Sequence, residues 1–388
     1  MKKINYGRQD INEEDIDAVI SVLRSDWLTQ GPVVPKFETS ITEYCGVQYA
    51  VATNSATSAL HIACLALEVG ELDYVWTTPM TFVASANCAL YCGANVDFVD
   101  IDPLTNNLCV HNLEAKLVEA EKIGRLPKVV IPVHLNGQSC DMAGIHLLSK
   151  RYGFKVIEDA SHAIGGKYKG DMIGSCQFSD IAIFSFHPVK IITSGEGGMA
   201  VTNDLVLNKK LRLFRSHGIT NSLEDMQLRP NEEIWNYQQI VLGFNYRMTE
   251  LQAALGISQL KRIDNFVLRR HAIAKRYDDE LIGLPLITPW QHPDSYSAYH
   301  LYPIQVKQIK GGISQLDLHN KMQESNINVN LHYIPVYRHP FYEALGFKKG
   351  YCPQAEKYHK TVLSIPMYPS LTELQQTKVI DVLNEAMN

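Results

Sequence analysis

The chain has 388 residues, 46% of them hydrophobic and 20% charged, with a formal net charge of −5. That length allows one large domain and a smaller one, and the acidic balance leaves no basic footprint for nucleic acid or anionic lipid. No apolar run reaches membrane-spanning length, so neither nucleic acid nor a membrane is expected as a partner. The N-terminal residues Met1 to Arg8 run directly into polar sequence and lack the apolar core of a signal peptide. The eight cysteines show no C-x-x-C pairing and the 14 histidines no H-x-x-x-H pair, so no metal site is expected. Reduced thiols in a cytoplasmic enzyme fit this pattern.

Asn12-Glu13-Glu14-Asp15 predicts a capped helix reaching about Leu23, with acids in the turn where the macrodipole favours them. Trp27-Leu28-Thr29-Gln30-Gly31-Pro32 breaks that pattern as a polar turn, open between plain loop and ligand pocket. Val51 to Asn54 reads as a strand end, and Ser55-Ala56-Thr57-Ser58-Ala59-Leu60 opens an apolar helix ending near Gly70. Small residues and hydroxyls at a helix start expose backbone N–H groups, either as an anion site or as a plain serine cap.

Strands and helices then alternate. Strands are predicted at Tyr74 to Thr78, Val96 to Val99, Lys128 to Val133 and Phe154 to Glu158; helices at Phe82 to Tyr91, His111 to Glu121 and Met142 to Tyr152. Cys88 and Cys92, four apart, fall on one face of a buried helix. Phe82, after a strand, is open between stacking on a cofactor ring and ordinary core packing. Strands rich in Val, Ile and Phe separated by helices predict an α/β fold with a mainly parallel sheet covered on both faces. Ligands of such sheets collect in the loops beyond the strand ends, where Thr57, Asp159 and Lys190 fall.

Two of those strand ends carry chemistry. Phe154 to Glu158 closes on Asp159, with Ala160-Ser161-His162-Ala163 after it; Ile181 to Phe186 is followed by Lys190 and the turn Gly195-Glu196-Gly197-Gly198. A lysine that is desolvated in a pocket loses proton affinity and becomes a nucleophile fit for a Schiff base. An acid and an amine on opposite sides of a flat ring form the arrangement pyridoxal phosphate (PLP) needs, the acid on the pyridine nitrogen and the lysine on the aldehyde. The glycine run leads into a strand and lacks the G-x-G-x-x-G spacing, which speaks against a nicotinamide oxidoreductase.

Met199 to Thr202 predicts a further strand and Asp204 to Arg215 a helix, and Thr220 to Gln239, with Pro230, reads as a polar loop. A long helical region runs from Thr249 to Leu281. The division falls near residue 246, giving a large domain, 1–245, and a small C-terminal α+β domain, 246–388. In the latter, strands are predicted at Leu301 to Val306 and Val329 to Tyr333, and helices at Gln315 to Ser325 and Glu373 to Met387. The turn His332-Tyr333-Ile334-Pro335 is a candidate to face the cleft.

Five ordered motifs, Asn54 to Leu60, Glu158-Asp159-Ala160-Ser161-His162, Ser185 to Lys190, Gly195 to Gly198 and Asn245-Tyr246-Arg247-Met248, resemble those of the DegT/DnrJ/EryC1/StrS sugar aminotransferases. The likeness runs from about Tyr6 to the C-terminal helix. It implies the fold of aspartate aminotransferase (fold type I of the PLP-dependent transferases) and PLP as cofactor. It further implies that Lys190 is the catalytic residue that tethers the cofactor as a Schiff base and that Asp159 pairs with the ring nitrogen. Ala56, Thr57 and Ser185 would hold the phosphate, and Phe82 would stack on the ring. His162 stands where many relatives carry glutamine near the phenolic oxygen, and an imidazole N–H can make the same hydrogen bond. Asn245 would reach the phosphate of the neighbouring subunit's cofactor, making a homodimer part of the site. Lysine rather than histidine at 190 disfavours the dehydratase branch of the family.

Leu28-Thr29-Gln30-Gly31, Ser161 to Gly165, Arg215-Ser216-His217-Gly218 and His332 to Pro335 narrow the resemblance to the pseudaminic acid branch. That branch implies L-glutamate as amino donor and a UDP-linked 4-keto-6-deoxy-N-acetylhexosamine as acceptor. Thr29, Gln30, His332, Tyr333 and Arg247 are the candidates for reading sugar and diphosphate. The alternatives are a D-configured 4-keto sugar, another PLP activity such as a lyase, and a non-catalytic protein on the same fold.

Overall fold

The computed structural model describes residues 3–227 and 236–387; Pro230 and the centre of the predicted polar loop lie outside them. Helix α1 (Glu13–Leu23) begins as its sequence demands, with a reciprocal capping box between Asn12 and Asp15, each bond 3.1 Å. Helix α2 (Val33–Cys45) has no counterpart in the sequence reading. Its cap residue Pro32 offers no side chain; instead the Glu250 carboxylate accepts the N–H groups of Val33 at 2.6 Å and Val34 at 3.2 Å. A cap supplied from that far along the chain leaves no local signature.

The large sheet grows from alternating elements: β1 (Tyr49–Thr53), α3 (Ala56–Ala66), β2 (Tyr74–Thr77), α4 (Ala84–Tyr91), β3 (Asn95–Phe98), α5 (Val110–Lys122), β4 (Val129–Ile131), α6 (Met142–Tyr152) and β5 (Lys155–Asp159). Two short strands, β6 (Lys167–Tyr168) and β7 (Asp171–Met172), precede β8 (Ile181–Ser185), β9 (Gly198–Thr202) and α7 (Leu205–Arg215). The strand order is β1-β9-β8-β5-β4-β2-β3. Every pairing from β8 to β3 is parallel, and only β9 runs against its neighbours. The mostly parallel sheet thus matches expectation, and wholly buried strands such as β8 and β9 need apolar side chains on both faces.

Helices α3 and α4 pack on one face. The other face is covered by α2, α8 (Glu250–Leu260) and the start of α9 (Ile263–Glu280). The predicted single helical region is therefore two helices, interrupted at Lys261 and Arg262. Phe266 and Val267 of α9 join the large-sheet core, while Ile273, Ala274 and Tyr277 join the C-terminal core.

A ribbon β10 (Ile219–Thr220) with β11 (Gln238–Gln239) follows α7. The C-terminal part holds β12 (Leu286–Ile287), β13 (Ser295–Tyr296), β14 (Tyr302–Val306), α10 (Gln315–Glu324), α11 (Pro340–Ala344), α12 (Pro353–His359), β15 (Val362–Ile365) and α13 (Glu373–Met387). β12, β14 and β15 form an antiparallel sheet, and β13 pairs with β6. The strand expected at Val329 to Tyr333 is not one. Only Asn330 pairs, with Ser364, through N–H···O bonds of 3.1 and 2.8 Å, after which the chain turns away from the sheet toward the cleft. Among the described residues no helix is long and apolar enough to cross a membrane.

Candidate active site

β5 and β8 are parallel neighbours, so their C-terminal ends open side by side onto a cleft of about 880 Å³. Beyond β8 the chain makes a closed turn: Phe186 N–H donates to Gly197 O at 2.9 Å, and Phe186 O accepts from Ser194 N–H and Thr193 Oγ1, each at 3.0 Å. Lys190 N–H donates to His187 O at 2.9 Å, which sets the lysine on the cleft floor. Burial pulls the Lys190 pKa down to about 8, against the opposing attraction of Asp159. About a tenth of the amine is therefore neutral at pH 7, far more than for a free lysine.

The first turn of α3 borders the same floor. Ser55 caps it by accepting the Ser58 N–H at 3.1 Å, and Ala56 and Thr57 line the cleft with first-turn N–H groups that no helix carbonyl can reach. A Cβ on Gly198 would stand 2.4 Å from Ala56 N, so a glycine there is what lets β9 pass under the start of α3. Ser185, at the end of β8, adds a hydroxyl beside them. Asp159, 4% exposed, accepts from Ser85 Oγ at 2.6 Å and from Ser161 N–H at 3.1 Å. Phe82 leaves its ring 60% exposed at the cleft, an uncovered aromatic face beside the acid.

Across from the floor stands a cluster of rings. His162 Nδ1 accepts the Asn136 N–H at 3.3 Å, so the neutral ring carries its proton on Nε2, 3.2 Å from the Tyr333 hydroxyl. Burial and then the positive charge of Lys190 hold the His162 pKa well below that of a free imidazole. His300 lies 4.4 Å from His162 between ring centroids, and burial, then His162 and the Lys190 and Arg270 charges, lower its pKa as well. His332, bonded to Ser364 Oγ at 2.8 Å, is lowered to about 3 by burial and Lys190. All three imidazoles are uncharged at neutral pH.

The structure brings Ala56, Thr57, Phe82, Asp159, His162, Ser185, Lys190, His332 and Tyr333 to this one cleft. It does not bring Thr29, Gln30, Asn245 or Arg247 there. Thr29 and Gln30 are exposed in the turn before α2, held on the outer side by the Glu250 N–H to Leu28 O bond of 3.0 Å. Asn245 is exposed beside Ser216, and Arg247 pairs along the back of β1 at Thr53. Tyr6, Ser85, His187 and His300 line the cleft without having been singled out from the sequence. A hydroxyl within an apolar stretch was the signal for Ser85, His187 lay inside the Ser185 to Lys190 motif, and nothing local marked Tyr6 or His300.

Residues 9–384 match the model of the DegT/DnrJ/EryC1/StrS aminotransferase family. The chain belongs to this family. The spore coat polysaccharide biosynthesis protein SpsC of Bacillus subtilis is 39% identical, over 97% of this chain and 95% of that one. A UDP-4-amino-4,6-dideoxy-N-acetyl-beta-L-altrosamine transaminase of Campylobacter jejuni is 38% identical, over 98% and 96%. Among solved structures, Helicobacter pylori PseC, an aminotransferase of pseudaminic acid biosynthesis, superposes with a TM-score of 0.89 at 30% identity, covering 100% of this chain and 99% of PseC. The PLP form of the putative sugar aminotransferase Spr1654 of Streptococcus pneumoniae gives 0.88 at 28% identity, with both chains covered at 100%.

This DegT-family chain is accordingly a PLP-dependent nucleotide-sugar aminotransferase, and its cleft fits the cofactor. The free N–H groups of α3 suit a phosphate, Asp159 offers an acceptor for a ring N–H, Lys190 supplies the amine, and Phe82 has an unpaired face for an aromatic ring.

Proposed function

We propose that this aminotransferase carries an amino group from L-glutamate to C4 of UDP-2-acetamido-2,6-dideoxy-β-L-arabino-hex-4-ulose. The product would be UDP-4-amino-4,6-dideoxy-N-acetyl-β-L-altrosamine, for pseudaminic acid biosynthesis. The observation that carries the reaction type is the meeting of Lys190 and Asp159 at neighbouring strand ends beside the start of α3. The sugar rests on whole-length similarity to the Campylobacter and Helicobacter enzymes.

When bound, PLP supplies an electron-accepting ring conjugated to an imine, which lets the α-proton of an amino acid leave. The protein's residues do the rest. Ala56 and Thr57 N–H groups and Ser185 Oγ would hold the phosphate, and Phe82 would cover one face of the ring. Asp159 would pair with the ring nitrogen, and His162 Nε2–H would serve the phenolic oxygen. Lys190 Nζ would take the α-proton of the donor and hold it for return, and on the sugar side it would serve the reverse transfer. His332 and Tyr333 meet the sugar from the opposite wall. Thr29, Gln30, Asn245 and Arg247 lie away from their own chain's cleft and act on that of a second copy in a homodimer, Asn245 on the phosphate.

The visible spectrum of the PLP-loaded protein tests this. L-Glutamate should bleach the band of the tethered cofactor, and the L-arabino 4-keto sugar should restore it. Bleaching without recovery rejects this sugar and turns to the D-configured epimer; no bleaching by glutamate rejects the donor.

A further inference from the structure

Asp159 does not stand alone at the end of β5. Its Oδ2 lies 2.6 Å from Ser85 Oγ, and Thr81 Oγ1 lies 2.8 Å behind that same oxygen. Both hydroxyls are buried, Ser85 at 1% exposure and Thr81 at 3%. An ionised carboxylate only accepts, so the Ser85 proton points at Asp159 and Thr81 donates in turn to Ser85. The donors thus run in one direction, from Thr81 through Ser85 to the carboxylate. They also flank Phe82, so one turn of chain governs both the ring face and the anchor of the ring nitrogen.

We infer that Ser85, backed by Thr81, is a positioning residue that holds Asp159 in one orientation and one protonation state toward the cofactor's ring nitrogen. The inference rests on PLP occupying this cleft. The ionisable groups acting on Asp159 are Lys190, from the turn after β8, and Tyr333, from the segment after Asn330. His162, three residues beyond Asp159, is neutral, and α4 faces the carboxylate with the Ser85 hydroxyl. A donated hydrogen bond stabilises the charged carboxylate. Without it Asp159 becomes more basic and takes a larger share of the ring proton. The ring then withdraws fewer electrons, and the nitrogen linking it to Lys190 becomes more basic.

The test is the pH midpoint of the bound cofactor's visible absorbance in PLP-loaded wild type, Ser85→Ala, Ser85→Thr, Thr81→Val, Asp159→Asn and the Asp159→Asn/Ser85→Ala double variant. Ser85→Ala should raise the midpoint by roughly one pH unit. It should also weaken PLP binding several-fold and lower kcat about tenfold, with little change in KM for either substrate. Ser85→Thr, which keeps the hydroxyl, should stay at the wild-type midpoint, and Thr81→Val should move it the same way by less. In the Asp159→Asn background Ser85→Ala should move it no further. An unchanged midpoint in Ser85→Ala, even with lost activity, reduces Ser85 to packing and overturns the proposal. If that variant does not fold, an unchanged midpoint in Thr81→Val overturns it equally. No visible band in the wild-type protein would instead overturn the cofactor reading beneath it.

Discussion

The two sides of the cleft are built on opposite plans. The floor comes from strand ends and a helix start of the large sheet, is held by backbone bonds, and carries the charges, Asp159 and Lys190. The facing wall is assembled from Tyr6, His162, His300, His332 and Tyr333, side chains from distant stretches that pack ring on ring and carry no charge. The floor helps impose that neutrality: the Lys190 charge is among the causes that depress all three imidazoles. Charge thereby stays on the floor side, where Glu196 also lines the cleft. The wall is left with uncharged donors and acceptors suited to sugar hydroxyls.

Removing the floor's amine gives the largest expected change. Lys190→Ala should lower turnover by about 10²–10⁴-fold, the range of general acid–base catalysis, while the melting temperature of the apoprotein holds. A drop of less than tenfold would place the proton transfer elsewhere. The capture of PLP by the apoprotein comes next. With the amine's pKa at about 8, the rate should fall about tenfold for each pH unit below that value and level off above it, read as growth of the visible band. A rate flat from pH 6 to 9 would mean Lys190 is not the titrating group.

Variants of the wall should act less strongly. His162→Leu removes the Nε2–H donor and leaves the buried Asn136 N–H without its acceptor, for a loss of about 1–3 kcal/mol in stability and about tenfold in kcat. His162→Gln, which keeps a donor, should retain most activity; equal loss in both would show that the ring shape, not the donor, matters. The last effect concerns acid. His332 keeps a pKa of about 3 when folded against 6.5 for the free imidazole. The unfolded chain therefore binds its proton first, and stability present above pH 6.5 is lost as pH falls toward 3, by at most about 1.4 kcal/mol per pH unit. His332→Gln should flatten that slope in thermal melts across pH 4–7.

What could be read from the chain follows the same division. Asp159 and Lys190 were legible because each lies at or just beyond a local apolar run, and the parallel sheet because strands such as β8 are apolar on both faces and alternate with helices. Helix α2 was not, since its cap is Glu250 and Pro35 sits in its first turn. Val329, Leu331 and Tyr333 alternate like a strand, yet only Asn330 between them pairs, because His332 and Tyr333 are drawn to Ser364 and His162 instead. Of the wall, His162, His332 and Tyr333 were candidates from the sequence, whereas Tyr6 and His300 were out of reach. No spacing connects Tyr6 or His300 to the motifs, and their contacts exist only once the fold is closed.

The cap on α2 has a consequence for how the chain is made. Residues 33 and 34 leave the ribosome long before Glu250, and β1 must likewise wait for β9, the strand it pairs with. Phe37 and Ile41, fully buried in the finished protein, meet α8 only then, where Gly256 leaves room for the Phe37 ring. For most of translation the N-terminal segment is an apolar strip without a partner, the kind of surface chaperones hold. A nascent chain stalled before residue 250 should therefore be sticky and readily proteolysed at α2, although every described strand of the large sheet has already been made.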